Sequence, residues 1–383
     1  MRVPAAASTT WRIRLRIAVI RTPEVPRTCG AGITAASLAA AGHTVRVFTD
    51  VPDDPDLTAP AGGGALRVQP WDAGQDTALA AAWSDDPPQV VHAIGPRAGA
   101  AAAATGVPVV QVYPADCPGP AAFPAARTGS SQGAARVLAS SEEQHTALLR
   151  RGVPRAALRT VPAAVDTDVF TPDGPALRRG DRPRLLAVGS LADGAGMDTV
   201  IRALARIRTA ELLVAGGAAD PDPDRARLFG IAREAGVAGR VRFLGPVEGG
   251  LLPRLLRSAD VVVAAPEHDV GVGPVLQAMA CARAVVATGV GGLRDVVVEG
   301  VTGVLVRPAR PAELAVALRG VLGDDALRAG LGIAGRDRAV SRFDRARIAE
   351  ALTVVYGELV GEPAVEAAEE DDPEDRTPVG AAG

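Results

Sequence analysis

The sequence predicts an α/β protein of two Rossmann-like, doubly wound parallel-sheet domains that face each other across a cleft. Three observations carry this expectation. Short apolar runs alternate with Ala- and Leu-rich stretches of helical length, and they do so in two series. A segment rich in Pro, Asp, Gly and Arg divides the two series at 166–183. Glycine-rich turns follow several of the runs. Such alternation implies a parallel sheet with helices on both faces, and 383 residues are enough for two domains with separate cores.

Taken in order, residues 1–13 read as a disordered extension. The apolar run at 17–20 is interrupted upstream by Arg12, Arg14 and Arg16, too short for a signal peptide or a membrane helix. The first domain, 14–165, carries strand-like runs at 15–20, 45–49, 90–93, 109–112 and 137–139, with helical stretches at 33–41, 99–105 and 141–151. The linker DTDVFTPDGPALRRGDRP follows at 166–183. The second domain, 184–342, has runs at 185–188, 211–215, 241–244, 261–265, 284–287 and 304–306. A helical segment at 343–360 comes next, with its helix at 345–360. The remainder, 361–383, is acidic and lacks apolar periodicity, the composition of a disordered tail.

Composition narrows the function classes. A net charge of −3 and an isoelectric point near 5.9 exclude a nucleic-acid binder of the basic-patch kind. Three cysteines, Cys29, Cys117 and Cys281, are far apart and lack CxxC or His companions. They point to a reducing cytoplasm and to no metal site.

Chemistry concentrates in 261–306. An apolar strand, 261–265, leads into a loop with two glycines; Gly273-Pro274 then opens a helix at 275–282, since proline is favoured in a first turn. A second strand, 284–287, precedes Gly289-Val290-Gly291-Gly292. Strand, loop, helix N-terminus, strand and glycine loop together present backbone N–H groups to a phosphate or sugar diphosphate. Thr28-Cys29-Gly30-Ala31-Gly32 offers a similar turn in the first domain.

The stretch QAMACARAVVATGVGGL (277–293) resembles the retaining glycosyltransferases of family 4. So do TVPAAVDTDVFTPDGP (160–175), RPRLLAVGSLADGAGMDTVIRALARI (182–207), RVRFLGPV (240–247) and VVHAIGPRAGAAAAATGVPVVQVY (90–113). The resemblance covers roughly 14–360. It implies the GT-B fold, a crossover helix at 345–360 that braces the first domain, a nucleotide-diphospho-sugar donor, an acceptor of unknown identity and no obligatory cofactor or metal.

Carried over residue by residue, the family pattern places Asp269 and His92 on the catalytic side. It assigns donor binding to Gln277, Gly271, Val272, Gly273, Gly189, Ser190, Val247, Arg294, Gly30 and Gly32. Several of these depart from the family. Asp269 and Gln277 stand where two glutamates belong, and Ser190 and Ala195 replace the arginine and lysine that hold the diphosphate. Pro114 occupies a histidine position, and of a H-A-H strand only His92 remains, followed by Ile94. No lysine substitutes locally, because all 41 basic residues are arginine. Losing two charge-assisted contacts removes about 3–6 kcal/mol of donor binding. Two readings therefore stand: a glycosyltransferase of reduced activity, or a GT-B relative without catalysis that binds a ligand or a protein partner.

Overall fold

The computed structural model describes residues 14–22, 30–49, 65–70, 79, 81–114, 136–218, 222–247 and 250–361. The extension 1–13, the acidic tail beyond Gly361, Thr28, Cys29, Cys117 and most of the loop after Pro114 lie outside them.

The first sheet contains β1 (Arg16–Arg21), β2 (Thr44–Thr49), β3 (Ala65–Pro70), β4 (Val90–Ile94), β5 (Val109–Val112), β6 (Arg136–Ala139) and β7 (Leu158–Thr160). Their spatial order is β3-β2-β1-β4-β5-β6-β7, and every pairing is parallel. Its helices are α1 (Ala31–Ala40), α2 (Pro96–Ala103) and α3 (Glu142–Arg150). Ile17, Val19, Val45, Val47, Val90 and Ile94 pack on the α1 side; Ala18, Ile20, Phe48, Trp83, Val91 and Ala93 pack on the α2 side. Apolar residues on both faces of a strand are what a sheet covered twice requires.

The second sheet holds β8 (Arg184–Val188), β9 (Glu211–Ala215), β10 (Val241–Gly245), β11 (Val261–Ala264), β12 (Ala284–Thr288) and β13 (Val304–Val306). They run parallel in the order β10-β9-β8-β11-β12-β13. Helices α4 (Met197–Leu204), α5 (Pro223–Glu234), α6 (Leu251–Ser258), α7 (Gly273–Ala280), α8 (Leu293–Val296), α9 (Pro311–Gly323) and α10 (Asp325–Arg338) cover the two faces. The fold class anticipated from the sequence is the one observed.

A π-helical turn, Ala339–Phe343, leads into α11 (Arg345–Val360). Ile348, Ala349, Leu352, Val355 and Tyr356 of α11 belong to the first domain's core. Burying each of the large ones contributes about 1.5–3 kcal/mol. Glu358 fixes the far end of α11, bonding Arg136 Nε at 3.0 Å and Arg159 Nη2 at 2.8 Å. Those two partners, Arg159 foremost, hold its carboxyl below the usual range.

The two crossings of the chain between domains are bound to each other. Val165 N donates to Phe343 O at 2.8 Å, and Arg345 N donates to Val165 O at 3.0 Å. Arg345 Nη1 reaches Asp166 Oδ2 at 2.7 Å, and the Thr167 hydroxyl donates to Asp344. Arg336 Nη1 donates to Phe170 O at 2.8 Å and to Ala280 O at 2.9 Å, tying the first crossing to the end of α7.

Candidate functional site

In an open parallel sheet, ligands bind beyond the carboxyl ends of the strands, where the strand order reverses. In the second sheet that point lies between β8 and β11, and the loops leaving these two strands pack together. Glu267 N donates to Gly194 O at 2.9 Å. A Cβ on Gly196, at φ +81°, would lie 1.7 Å from Ala265 O and 2.9 Å from Pro266 N. Only glycine lets the β8 loop pass so close. His268, exposed, lays its ring over Gly194, where a Cβ would meet Cε1 at 2.6 Å.

The β8 loop opens at Gly189, whose N–H donates to Ala215 O at 3.0 Å; nothing stands within 4 Å of where its Cβ would be. Ser190 is exposed, and its hydroxyl accepts from Ala192 N at 3.2 Å. Ala195 is half-buried in the same loop. Neither side chain brings a positive charge.

From β11 the chain continues through Pro266, whose carbonyl accepts from Thr288 Oγ1 at 2.6 Å. Asp269 is half-buried, and its Oδ1 accepts from Gly292 N at 3.0 Å. Gly291, at φ +49°, has no room for a side chain, because a Cβ would lie 1.8 Å from that same Asp269 oxygen. Gly271 is exposed and Gly273 half-buried, with open space where a Cβ of Gly273 would stand. Val272, 8 % exposed, is the N-cap of α7. The helix starts at Gly273, two residues ahead of the anticipated 275, because Pro274 needs no N–H partner in a first turn. Gln277 lies half-buried one turn along it. A carboxylate beside glycine amides at a helix N-terminus can hold both a hydroxyl group and an anion.

Arg294 and Val247 flank this region. Arg294 is exposed, and its Nε donates to Gly289 O of its own loop. Val247 is half-buried against the second-domain core. Among the described residues no group of three or more His, Cys, Asp or Glu could hold a metal ion.

In the first domain, Gly30 is the N-cap of α1 at φ +79°, and Gly32 is buried inside that helix, which starts two residues earlier than anticipated. His92 is a core residue, 3 % exposed on β4, with Nδ1 bonded to Tyr356 Oη of α11 at 2.8 Å. Burial lowers its imidazole to about 4. Its hydrogen bond goes to α11, and among the described residues none to the site loops is made.

Two residues that sequence reasoning did not select link the domains here. Glu143 Oε2 accepts from Gly291 N at 3.0 Å, and Asp295 Oδ2 accepts from Glu142 N at 2.8 Å. Both pairs join segments about 150 residues apart, and no local signal marks them.

The described residues include no helix long and apolar enough to cross a membrane. Residues 33–169 match the family model for Glycosyltransferase Family 4, and 182–324 match that for Glycosyl transferases group 1. A D-inositol 3-phosphate glycosyltransferase from Xylanimonas cellulosilytica is 37 % identical over 237 residues, which is 58 % of this chain and 56 % of the relative. A GDP-mannose-dependent alpha-(1-6)-phosphatidylinositol monomannoside mannosyltransferase from Mycolicibacterium smegmatis is 34 % identical over 52 % of this chain and 57 % of its own. The match spans about half the length of these curated relatives. In fold, the chain is similar to HepE of Anabaena, crystallised with UDP-glucose, at a TM-score of 0.72 and 18 % identity over 90 % of this chain and 100 % of that one.

Proposed function

Because the chain belongs to the GT-B glycosyltransferases of the family 4 type, we propose that it transfers a sugar, with retention and at reduced efficiency, from a nucleotide-diphospho-sugar to an acceptor hydroxyl. The observation that carries this reading is the junction of the β8 and β11 loops at the switch point, with Asp269 braced on Gly292 at 3.0 Å. Asp269 would hold a hydroxyl of the donor sugar and Gln277 the ribose. The amides around Gly271–Gly273, together with Gly189, would face the diphosphate. In transfer, the bond from the anomeric carbon to the diphosphate oxygen breaks, a bond to the acceptor oxygen forms on the same face, and the acceptor's proton leaves with the nucleoside diphosphate. The reduced efficiency follows from Ser190 and Ala195. Without their cations the charge developing on the leaving diphosphate is stabilised less, and a helix N-terminus returns only about 0.3–2 kcal/mol. The inositol phosphate and phosphatidylinositol mannoside acceptors named for the relatives make a phosphorylated inositol the first acceptor to try.

A second reading, a binding or partner protein without transfer, is favoured by Arg294, whose Nε is engaged by the Gly289 carbonyl. Calorimetric titration with UDP, GDP, ADP and their sugar conjugates, followed by product analysis with inositol phosphate, separates the two. Micromolar binding with product supports transfer, and binding without product supports the second reading. Absence of heat at millimolar ligand would remove the donor altogether.

A further inference from the structure

Where α3 of the first domain meets the glycine turn of the second, the two exchange carboxylates. Glu143 reaches across to Gly291 N at 3.0 Å, and Asp295 reaches back to Glu142 N at 2.8 Å. The first N–H groups of a helix have no partner inside it. In α3 the Gln144 N–H is satisfied locally, donating to Ser141 Oγ at 3.1 Å, whereas the Glu142 N–H is satisfied by the opposite domain. The glycine turn is arranged in the same way: the Gly292 N–H goes to Asp269 of its own domain, at 3.0 Å, and the Gly291 N–H to Glu143. The domains stay close beside these bonds, for a Cβ on Gly292 would lie 3.6 Å from Ser141 Cβ.

The chain itself passes between the domains at residues 165 and 344, where the two crossings pair as an isolated parallel bridge. Rotation of one domain about that crossing would leave its backbone pairing in place. The same rotation would part the α3–glycine turn contacts, which are held by hydrogen bonds and not by the chain.

We propose that Glu143–Gly291 and Asp295–Glu142 form a reciprocal latch that holds the two domains closed, and that its release lets them swing about the 165/344 crossing. Both bonds join a carboxylate to a backbone N–H, the stronger kind of hydrogen bond, and each favours the closed state by roughly tenfold or more. Glu142 and Glu143 are exposed, so the latch can open without unpacking either core.

Small-angle scattering of the full chain without ligand tests the latch. The double variant Glu143→Ala/Asp295→Ala should show a larger radius of gyration and maximum dimension. Glu143→Gln/Asp295→Asn, whose side-chain oxygens still accept, should scatter like the parent. An alanine pair with unchanged scattering and unchanged circular dichroism overturns the proposal. Should the alanine pair lose its circular dichroism, Glu143→Ala alone decides through hydrogen exchange. Exchange at the Glu142 N–H should then quicken about tenfold or more, although its acceptor Asp295 is intact; an unchanged rate overturns the latch. No donor enters either measurement, so failure here is distinct from failure of the transferase reading.

Discussion

Asp269 and Gly292 are joined by a hydrogen bond of 3.0 Å from the glycine N–H to Oδ1, so the acid of the β11 loop is set by the N-cap residue of α8, beyond the following strand. A free aspartate at this position, one methylene shorter than glutamate, would range over several rotamers. The bond, with Gly291 packed against the same oxygen, confines it. Replacing Asp269 with Ala should weaken binding of a nucleotide-sugar by roughly ten- to a hundredfold, the worth of a hydrogen bond to a charged group. Binding of the corresponding free nucleotide should change little. Calorimetry with both ligands checks this, and an equal loss for both would remove Asp269 from the sugar contact.

Restoring charge should restore affinity. Ser190 is exposed and Ala195 half-buried on the β8 loop, and only the Ser190 hydroxyl bond to Ala192 N, 3.2 Å, is lost on substitution. The double variant Ser190→Arg/Ala195→Lys should bind UDP or GDP about two to four decades more tightly, from two charge-assisted contacts. Failure to gain even tenfold would place the diphosphate elsewhere.

The β8–β11 junction depends on one glycine. At φ +81°, with Ala265 O 1.7 Å from the position of a Cβ, Gly196→Ala meets both left-handed strain and a clash. It should cost at least about 2 kcal/mol, read as a lower urea midpoint at unchanged slope. Gly180→Ala is the control, since nothing lies within 4 Å of a Cβ there; its stability should stay within about 0.5 kcal/mol of the parent's.

The His92–Tyr356 pair makes stability depend on pH. Burial lowers the imidazole from 6.5 to about 4 and raises the Tyr356 phenol. Between those two pH values the unfolded chain binds a proton at residue 92 that the folded protein does not, so stability rises with pH across this window. His92 contributes fully above about pH 6.5, and on the order of 3 kcal/mol is lost by about pH 4. His43, lowered by burial as well, acts in the same direction. Urea titrations of the parent and His92→Gln from pH 4 to 7 should show the variant with the flatter profile. Equal slopes would assign the acid sensitivity to other groups.

The fold was legible where strands are buried on both faces. All six strands of the second sheet lie on the apolar runs that announce them, and their ends moved by one residue or so. β3 and β7 were not anticipated. Ala65–Pro70 is a partly exposed edge strand closed by proline, and Leu158–Thr160 has only three residues, so neither leaves a continuous apolar run. The site was readable to the extent that it is local. Glycines, Pro274 and Asp269 sit within one stretch of chain, whereas Glu143 on Gly291 is a product of domain docking. His92 was picked out by its strand motif, while the hydroxyl that engages it lies 264 residues away. His43 shows the same logic: Leu15 N donates to Nδ1 at 3.2 Å, which leaves the proton on Nε2, bonded to Thr353 Oγ1 at 2.9 Å.

That α11 completes the first domain's core has a consequence for biosynthesis. Its side chains leave the ribosome roughly 190 residues after the last strand of the sheet they cover, a delay of about 10–40 s at ordinary elongation rates. Throughout that interval the nascent chain carries a parallel sheet whose Ile and Val flank is covered by α1 alone, and by its end the second domain has received its last strand and helix. The half that is synthesised first is therefore the half that is completed last.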